Sequence, residues 1–187
     1  MVEAKISDLW DPRKPYLRNL LIMTLTWQAL GFTYSLISFE LKYLPGDIFS
    51  NSYTSAVAEI VAKLGAGVVL MRLGMKPLFG LAFFISFLGA FNMVQLSSGQ
   101  VDPLYASILI MMTKFGVSMG WVAAIICVIQ LFPSNLAATA FGICNVCNKL
   151  ASMTSPMVAE IAQPTPMIIV AVVTAVMGVL TQKFELN

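Results

Sequence analysis

The sequence predicts an all-α protein, an integral membrane bundle of six transmembrane helices, and three observations carry that reading. The 187 residues are 58% hydrophobic and 11% charged, and the mean hydropathy of +0.83 exceeds what a soluble domain can hide in its core. The apolar residues fall into runs of about 20, the length that crosses a hydrocarbon layer ~30 Å thick. Between the runs stand clusters of Gly, Pro, Asn, Asp and charge, which punctuate helices.

In chain order, Met1 to Tyr16 is a polar, basic lead-in in which Pro12 and Pro15 exclude a continuous helix. The first span runs from Leu17 to Phe39. It lacks a small-residue cleavage site, so it is expected to remain as a spanning helix rather than leave as a signal peptide. Glu40 to Asp47 ends it with charge, Pro and Gly. The second span, Phe49 to Leu70, is followed by a tight basic turn from Arg72 to Pro77. The third covers Leu78 to Leu96, closed by Ser97 to Pro103, and the fourth covers Leu104 to Leu131. Pro133, Ser134 and Asn135 open the fifth, which is expected to continue toward Glu160 with a bend at Pro156. The sixth is Met167 to Leu180. The chain thus divides into a lead-in, 1–16, a six-helix transmembrane domain, 17–182, and a tail, 183–187.

An even number of spans puts both termini on one side, and the excess of Lys and Arg chooses which. Lys5, Arg13, Lys14, Arg18, Arg72, Lys76 and Lys183 fall on the terminal side, against Lys42 in the opposite loops. The lead-in and tail are therefore expected in the cytoplasm. The turn between the fourth and fifth spans adds no basic residue.

Several function classes lack their parts. The net charge of +2 is small and the basic residues are scattered, so no nucleic-acid partner is expected. Histidine is absent, which leaves Cys144 and Cys147, a lone CxxC, without the remaining ligands of a zinc site. No catalytic residues, metal or cofactor are therefore expected, and the chain does not read as an enzyme.

Three lysines lie within the apolar spans. Lys149 stands about halfway along the fifth; counted from Ala138 it lies roughly 16 Å inward at ~1.5 Å per residue, near mid-depth. An ammonium at that depth is costly and generally faces a bundle interior or a wet cavity, so Lys149 is the leading candidate for a substrate site. Lys63 follows Glu59 by four residues, the favoured order for a helical ion pair, which suits a self-satisfied pair as well as a site. Lys114 is expected nearer the far end of the fourth span, snorkelling outward in a structural role. Three lysines against Glu59 leave an excess of positive charge that favours an anionic substrate.

Weaker signals surround these. Trp27, Tyr34, Trp121 and Phe141 are suited to line an apolar ligand cavity or simply to fill space. Asn145 and Asn148 flank Lys149 and suit either the same cavity or interhelical hydrogen bonds. Gly65 and Gly67, like the GxxxG of Gly116 and Gly120, read as sites of close backbone approach.

Beside this stands a resemblance. KFGVS at Lys114 to Ser118 with QLFPS at Gln130 to Ser134 is similar to the paired KFGIS and ELYPT of the organic ion transporters, a branch of the major facilitator superfamily. ATAFG at Ala138 to Gly142 resembles the tail of that family's RxTGxG, Trp27 with Tyr34 its WFxxxxxYYG helix, and Gly46 to Ile48 its GDI loop. RLGMKP at Arg72 to Pro77 is a degenerate DRLGRRP turn. The match covers nearly the whole chain and corresponds to the carboxy-terminal six-helix half of the fold.

The resemblance implies a plasma-membrane carrier of small organic ions. Anion-carrying members have an acid four residues before a lysine on the second of these helices and an arginine where Lys149 stands, so it makes Lys63 and Lys149 anion-site residues, with Tyr34 a pocket aromatic and Trp27 its neighbour; Asn145 joins these candidates by its place beside Lys149. It gives Glu59, Lys114, Arg72, Lys76, Gln130 and Pro133 structural or gating roles. Met71, Met75, Gln130 and Ala137 depart from charged residues of the cytoplasmic gating network. The fold holds substrate between two six-helix halves, so besides the lipid bilayer the implied partner is a complementary half or a second copy. The alternative is a non-transporting truncated homologue that acts as a membrane partner.

Overall fold

The computed structural model describes residue 9 and residues 15–43, 48–96 and 103–184. Its helices are α1 Pro15–Glu40, α2 Ile48–Leu73, α3 Met75–Leu96, α4 Pro103–Leu131, α5 Ser134–Ser152, the short α6 Ser155–Ala159, and α7 Thr165–Leu180. No strand occurs among the described residues. The expected all-α bundle is therefore the observed one, half the helix complement of a major facilitator fold. Most of the lead-in and the end of the tail, with the GDI loop, lie outside the described residues.

Four helices are long and apolar enough to cross a membrane: Tyr16–Glu40, Met75–Gln95, Leu104–Leu131 and Thr165–Lys183. The other two long helices fall short of the six expected. α2 opens on a polar run and carries Glu59, Lys63 and Arg72, and α5 carries Thr139, Asn145, Asn148 and Lys149. Their polar faces need cover other than lipid, because polar side chains in hydrocarbon are costly.

Two further boundaries differ from expectation. The turn after the second span is a single residue, Gly74, at φ 87°, a conformation glycine adopts without a Cβ penalty. The fifth span does not bend at Pro156 but ends at Ser152, so Lys149 lies in the last turn of α5 rather than midway along one helix. Pro156 has no N–H for the Ser152 carbonyl, and the chain turns before it: the Thr154 hydroxyl donates to the Ala151 carbonyl at 2.8 Å, and α6 starts with Pro156 in its first turn, where proline is tolerated.

The core lies among α1, α3, α4 and α7, where Met23, Leu30, Phe79, Phe83 and Leu78 are almost fully buried. Gly116 lets α4 meet α3: a Cβ there would come within 2.5 Å of the Ala82 carbonyl oxygen and 2.6 Å of the Ser86 nitrogen. Gly65 and Gly67 do nothing comparable, since nothing stands within 4 Å of a Cβ at either. The close approach expected of them is absent because they sit on a side of α2 that no described element covers.

At one end of the bundle, Arg18 donates to the Lys183 carbonyl at 2.8 Å and Gln182 to the Lys76 carbonyl at 3.1 Å. The start of α1, the end of α7 and the Gly74 turn thus share one side. At the opposite end Lys42 pairs with Glu160, and Gln163 donates to Glu40.

Candidate substrate cavity

Helical periodicity builds the site. Residues spaced three or four apart share a helix face, and four such faces converge: Trp27, Gly31, Tyr34 and Ser35 from α1, Glu59 and Lys63 from α2, Trp121, Val122 and Ile125 from α4, and Phe141, Asn145, Asn148, Lys149 and Ser152 from α5. They enclose a cavity of about 700 Å³, within the range of small-molecule sites. Every residue expected at the substrate site, Lys149, Lys63, Tyr34, Trp27 and Asn145, is on its wall.

The wall has an aromatic side and a charged side. Trp27, 3% exposed, meets Trp121 and Phe141 edge-on, with ring centroids 5.2 and 4.9 Å apart and interplanar angles of 80° and 79°. These are favourable edge-to-face contacts that set a rigid apolar floor. Across it, the Glu59 carboxylate is held at both oxygens: Lys63 donates to Oε1 at 2.7 Å and the Tyr34 hydroxyl to Oε2 at 2.9 Å. The i,i+4 pair read from the sequence is formed, and Tyr34 adds a second tie from α1.

Lys114 corrects the expectation of an outward snorkel. It is buried, 6% exposed, with Nζ 5.0 Å from the centroid of the Tyr34 ring and 3.5 Å from Ser38 Oγ, to which it donates. The face of an aromatic ring attracts a cation, and Glu59 lies close enough to act on its charge. Lys114 therefore stands behind the charged wall rather than at the membrane surface. Lys149, like Lys63, lines the cavity and is exposed, but unlike Lys63 it pairs with no acid among the described residues.

Asn148 is 4% exposed, accepts from the Ser152 hydroxyl at 3.2 Å, and fills the space a side chain at Gly31 would need. Gly31, Ser35 and Ser152 are not among the residues expected at the cavity, while Asn148, which suits the cavity or an interhelical hydrogen bond, is on its wall. The stripe 141, 145, 148, 149, 152 at helical spacing is the signal that finds the α5 members.

The proposed gating residues are elsewhere. Arg72, Lys76, Gln130 and Pro133 stand at the end where α1 starts and α7 finishes, and none lines the cavity. The side chains of Arg72 and Gln130 are exposed and bond to no other described residue, while the Pro133 carbonyl accepts from the Leu136 and Ala137 N–H groups at 2.8 and 2.9 Å and so starts α5. Cys144 lies 3.5 Å from the Thr24 hydroxyl, and no cluster of metal-ligating residues occurs among the described residues.

Comparison with known proteins fits this geometry. The chain is 26% identical over 148 residues to the human protein named organic cation/carnitine transporter 2, and 30% identical over 149 residues to human solute carrier family 22 member 12. These alignments cover 79% and 78% of this chain and 25% and 26% of the relatives. Its homologues are organic ion transporters of solute carrier family 22. Mouse solute carrier family 22 member 4 aligns over 96% of the chain at 22% identity, covering 32% of the relative. No family model matches. The chain thus spans about a quarter of the length of these two curated relatives. The organic ion transporter homologue is a multi-pass membrane protein whose relatives are transporters rather than enzymes.

Proposed function

We propose that this bundle forms one wall of a carrier for small organic anions, working by alternating access against a second six-helix bundle. The observation that carries the reading is the charge balance at the cavity. Lys63 and Lys149 line the cavity and Lys114 stands behind its wall, against one carboxylate, Glu59, which is already held by Lys63 and Tyr34. Lys149 is thereby left to meet a substrate anion, while the aromatic floor of Trp27, Trp121 and Phe141 takes an apolar body. Lys63, Tyr34 and Asn145 complete the contacts.

Four helices of this chain line the cavity without closing it, and alternating access rocks two bundles around a central site. The covering bundle is a complementary six-helix half or a second copy, and the native mass of the detergent-extracted complex distinguishes them. The departures at Met71, Met75, Gln130 and Ala137 favour a second reading, a non-transporting membrane partner that binds ligand without cycling. Concentrative uptake by proteoliposomes sinks that second reading; ligand binding without uptake sinks the first.

The decisive experiment compares ligand-induced thermal shifts with anionic and cationic aromatic ligands. Loss of one charge-assisted contact costs ~1.5–3 kcal/mol, so Lys149→Ala is expected to weaken anion binding about tenfold to hundredfold. Lys149→Arg keeps it, and Lys149→Asp turns the preference toward cations. Unchanged anion affinity in Lys149→Ala ends the anion reading. We place both termini in the cytoplasm, on the basic excess of the terminal side, and the protein in the plasma membrane, on its similarity to the organic ion transporters. Outside reagent should label a cysteine at Ser98 and not at Lys76 in intact cells; the reverse pattern inverts the topology.

A further inference from the structure

The end of the bundle where α1 starts and α7 finishes carries charge that the cavity does not use. Arg72, Lys76 and Lys183 stand there and form no ion pair among the described residues. The described acids lie elsewhere: Glu59 on the cavity wall, Glu40 and Glu160 at the opposite end. Lys76 and Lys183 are brought together by the Gln182 amide, which donates to the Lys76 carbonyl at 3.1 Å. The segment after α7 is held down by Phe184, 1% exposed, whose ring centroid is 5.6 Å from that of Phe79. The two lysines are thus fixed beside the start of α3 rather than borne on a loose end.

From these lysines a groove runs between α3 and α7. A cavity of about 240 Å³, lined by Gly80, Phe84, Gly178 and Val179, meets a second of about 400 Å³, and Phe87 and Ala175 line both. The groove follows α3 from Gly80 to Val94, roughly 21 Å at ~1.5 Å per residue. The one hydroxyl on its wall, that of Thr174, donates to carbonyls of its own helix, so the groove offers nothing to a polar ligand. Lys76 precedes Gly80 by four residues and Lys183 follows Val179 by four, which puts both at its head. Both helices are long and apolar enough to cross a membrane.

We propose that this is a phospholipid site, with an anionic headgroup phosphate held between Lys76 and Lys183 and one acyl chain laid in the α3–α7 groove. Charge complementarity selects the headgroup, since cations without acids attract the phosphate of an anionic lipid at the membrane surface. The groove is long enough for the chain, because one leaflet is about half of a hydrocarbon layer ~30 Å thick. Lipid tails are as apolar as the groove, so within a bilayer the chain is held by packing and the lysines make the choice between lipids.

The test uses no transport substrate and is independent of the carrier reading. Native mass spectrometry of the detergent-extracted protein, equilibrated with equal amounts of dioleoyl phosphatidylglycerol and dioleoyl phosphatidylcholine, should show one phosphatidylglycerol retained in preference. Each lysine near an anionic headgroup is worth about fivefold in affinity, so Lys76→Gln with Lys183→Gln should weaken phosphatidylglycerol roughly thirtyfold. Lys76→Arg with Lys183→Arg should keep it. Should the double glutamine variant fail to fold, Lys183→Gln alone decides, at about fivefold. Ala175 is exposed and lines both parts of the groove, so Ala175→Phe fills the groove without touching the core and should lower retention of both lipids. Lys149→Ala should leave the lipid in place. Equal retention of the two lipids, or an unmoved preference in the glutamine variants, overturns the headgroup site, and unmoved retention in Ala175→Phe overturns the groove. Release of the lipid by Lys149→Ala would move it to the central cavity, and displacement by equimolar inorganic phosphate would make the site one for free phosphate; either overturns the proposal.

Discussion

The pair α3 and α7 and the pair α2 and α5 solve the membrane problem in opposite ways. α3 and α7 carry Phe79, Phe83, Phe87 and Phe91 against Thr174, Gly178 and their neighbours, and the buried Thr174 hydroxyl donates back to the Val170 carbonyl of its own helix at 2.8 Å. No charged side chain of that pair is turned toward the cavity. α2 and α5 hold Glu59, Lys63, Asn145, Asn148 and Lys149 and turn them toward one cavity. Polar groups within a bilayer have to be satisfied by other groups, and here they are satisfied partly by each other and partly by whatever enters. The difference teaches that the least apolar helices of this bundle are its working ones.

The contrast breaks first where packing is tightest. Gly116→Val puts a branched side chain where the α3 backbone already stands, at α4's contact with Ala82 and Ser86. Overpacking of this kind costs about 3 kcal/mol, so the variant is expected to lose its monodisperse gel-filtration peak and its cooperative melt, whatever ligand is added. A variant that melts like the wild type would mean that α3 and α4 do not pack through this glycine.

A smaller effect is expected on the polar side. The Glu59–Lys63 pair is largely open to solvent on the Lys63 side, where the side chain is 52% exposed, so Glu59→Gln should change thermal stability by no more than ~1 kcal/mol. It removes the acid that competes for Lys63 and Lys114, and anion affinity by equilibrium binding should rise severalfold. A fall in affinity would instead mean that Glu59 positions the lysines for substrate. The smallest change is expected at Gly65→Ala, where a Cβ meets open space; the helix gains at most ~1 kcal/mol and binding stays unchanged. A marked loss would reveal a neighbour of α2 that the described residues do not include.

Much of this was legible from spacing. The four apolar spans follow from hydropathy and punctuation, and the α1 and α5 faces of the cavity follow from residues three and four apart around Trp27 and Lys149. The Glu59–Lys63 pair needed only an i,i+4 count. Lys114 was not legible in the same way, because its burial depends on the Tyr34 ring and Ser38 of another helix coming over it. Gly65 and Gly116 look alike in sequence and differ only in what stands opposite. The stop at Ser152 was half legible: proline announced an interruption, and the turn before it is fastened by the Thr154 hydroxyl, which donates to the Ala151 carbonyl.

The single-residue link at Gly74 also fixes how the bundle can move. One residue spans at most ~3.6 Å, less than the ~5.4 Å of a helical turn, so α2 cannot slide along its own axis by one turn while α3 stays in place. The two are geared. α3 is locked to α4 through Gly116, so a displacement of the Glu59 wall has to be a rocking of α2 about its Gly74 end, with travel greatest at the far end of the helix.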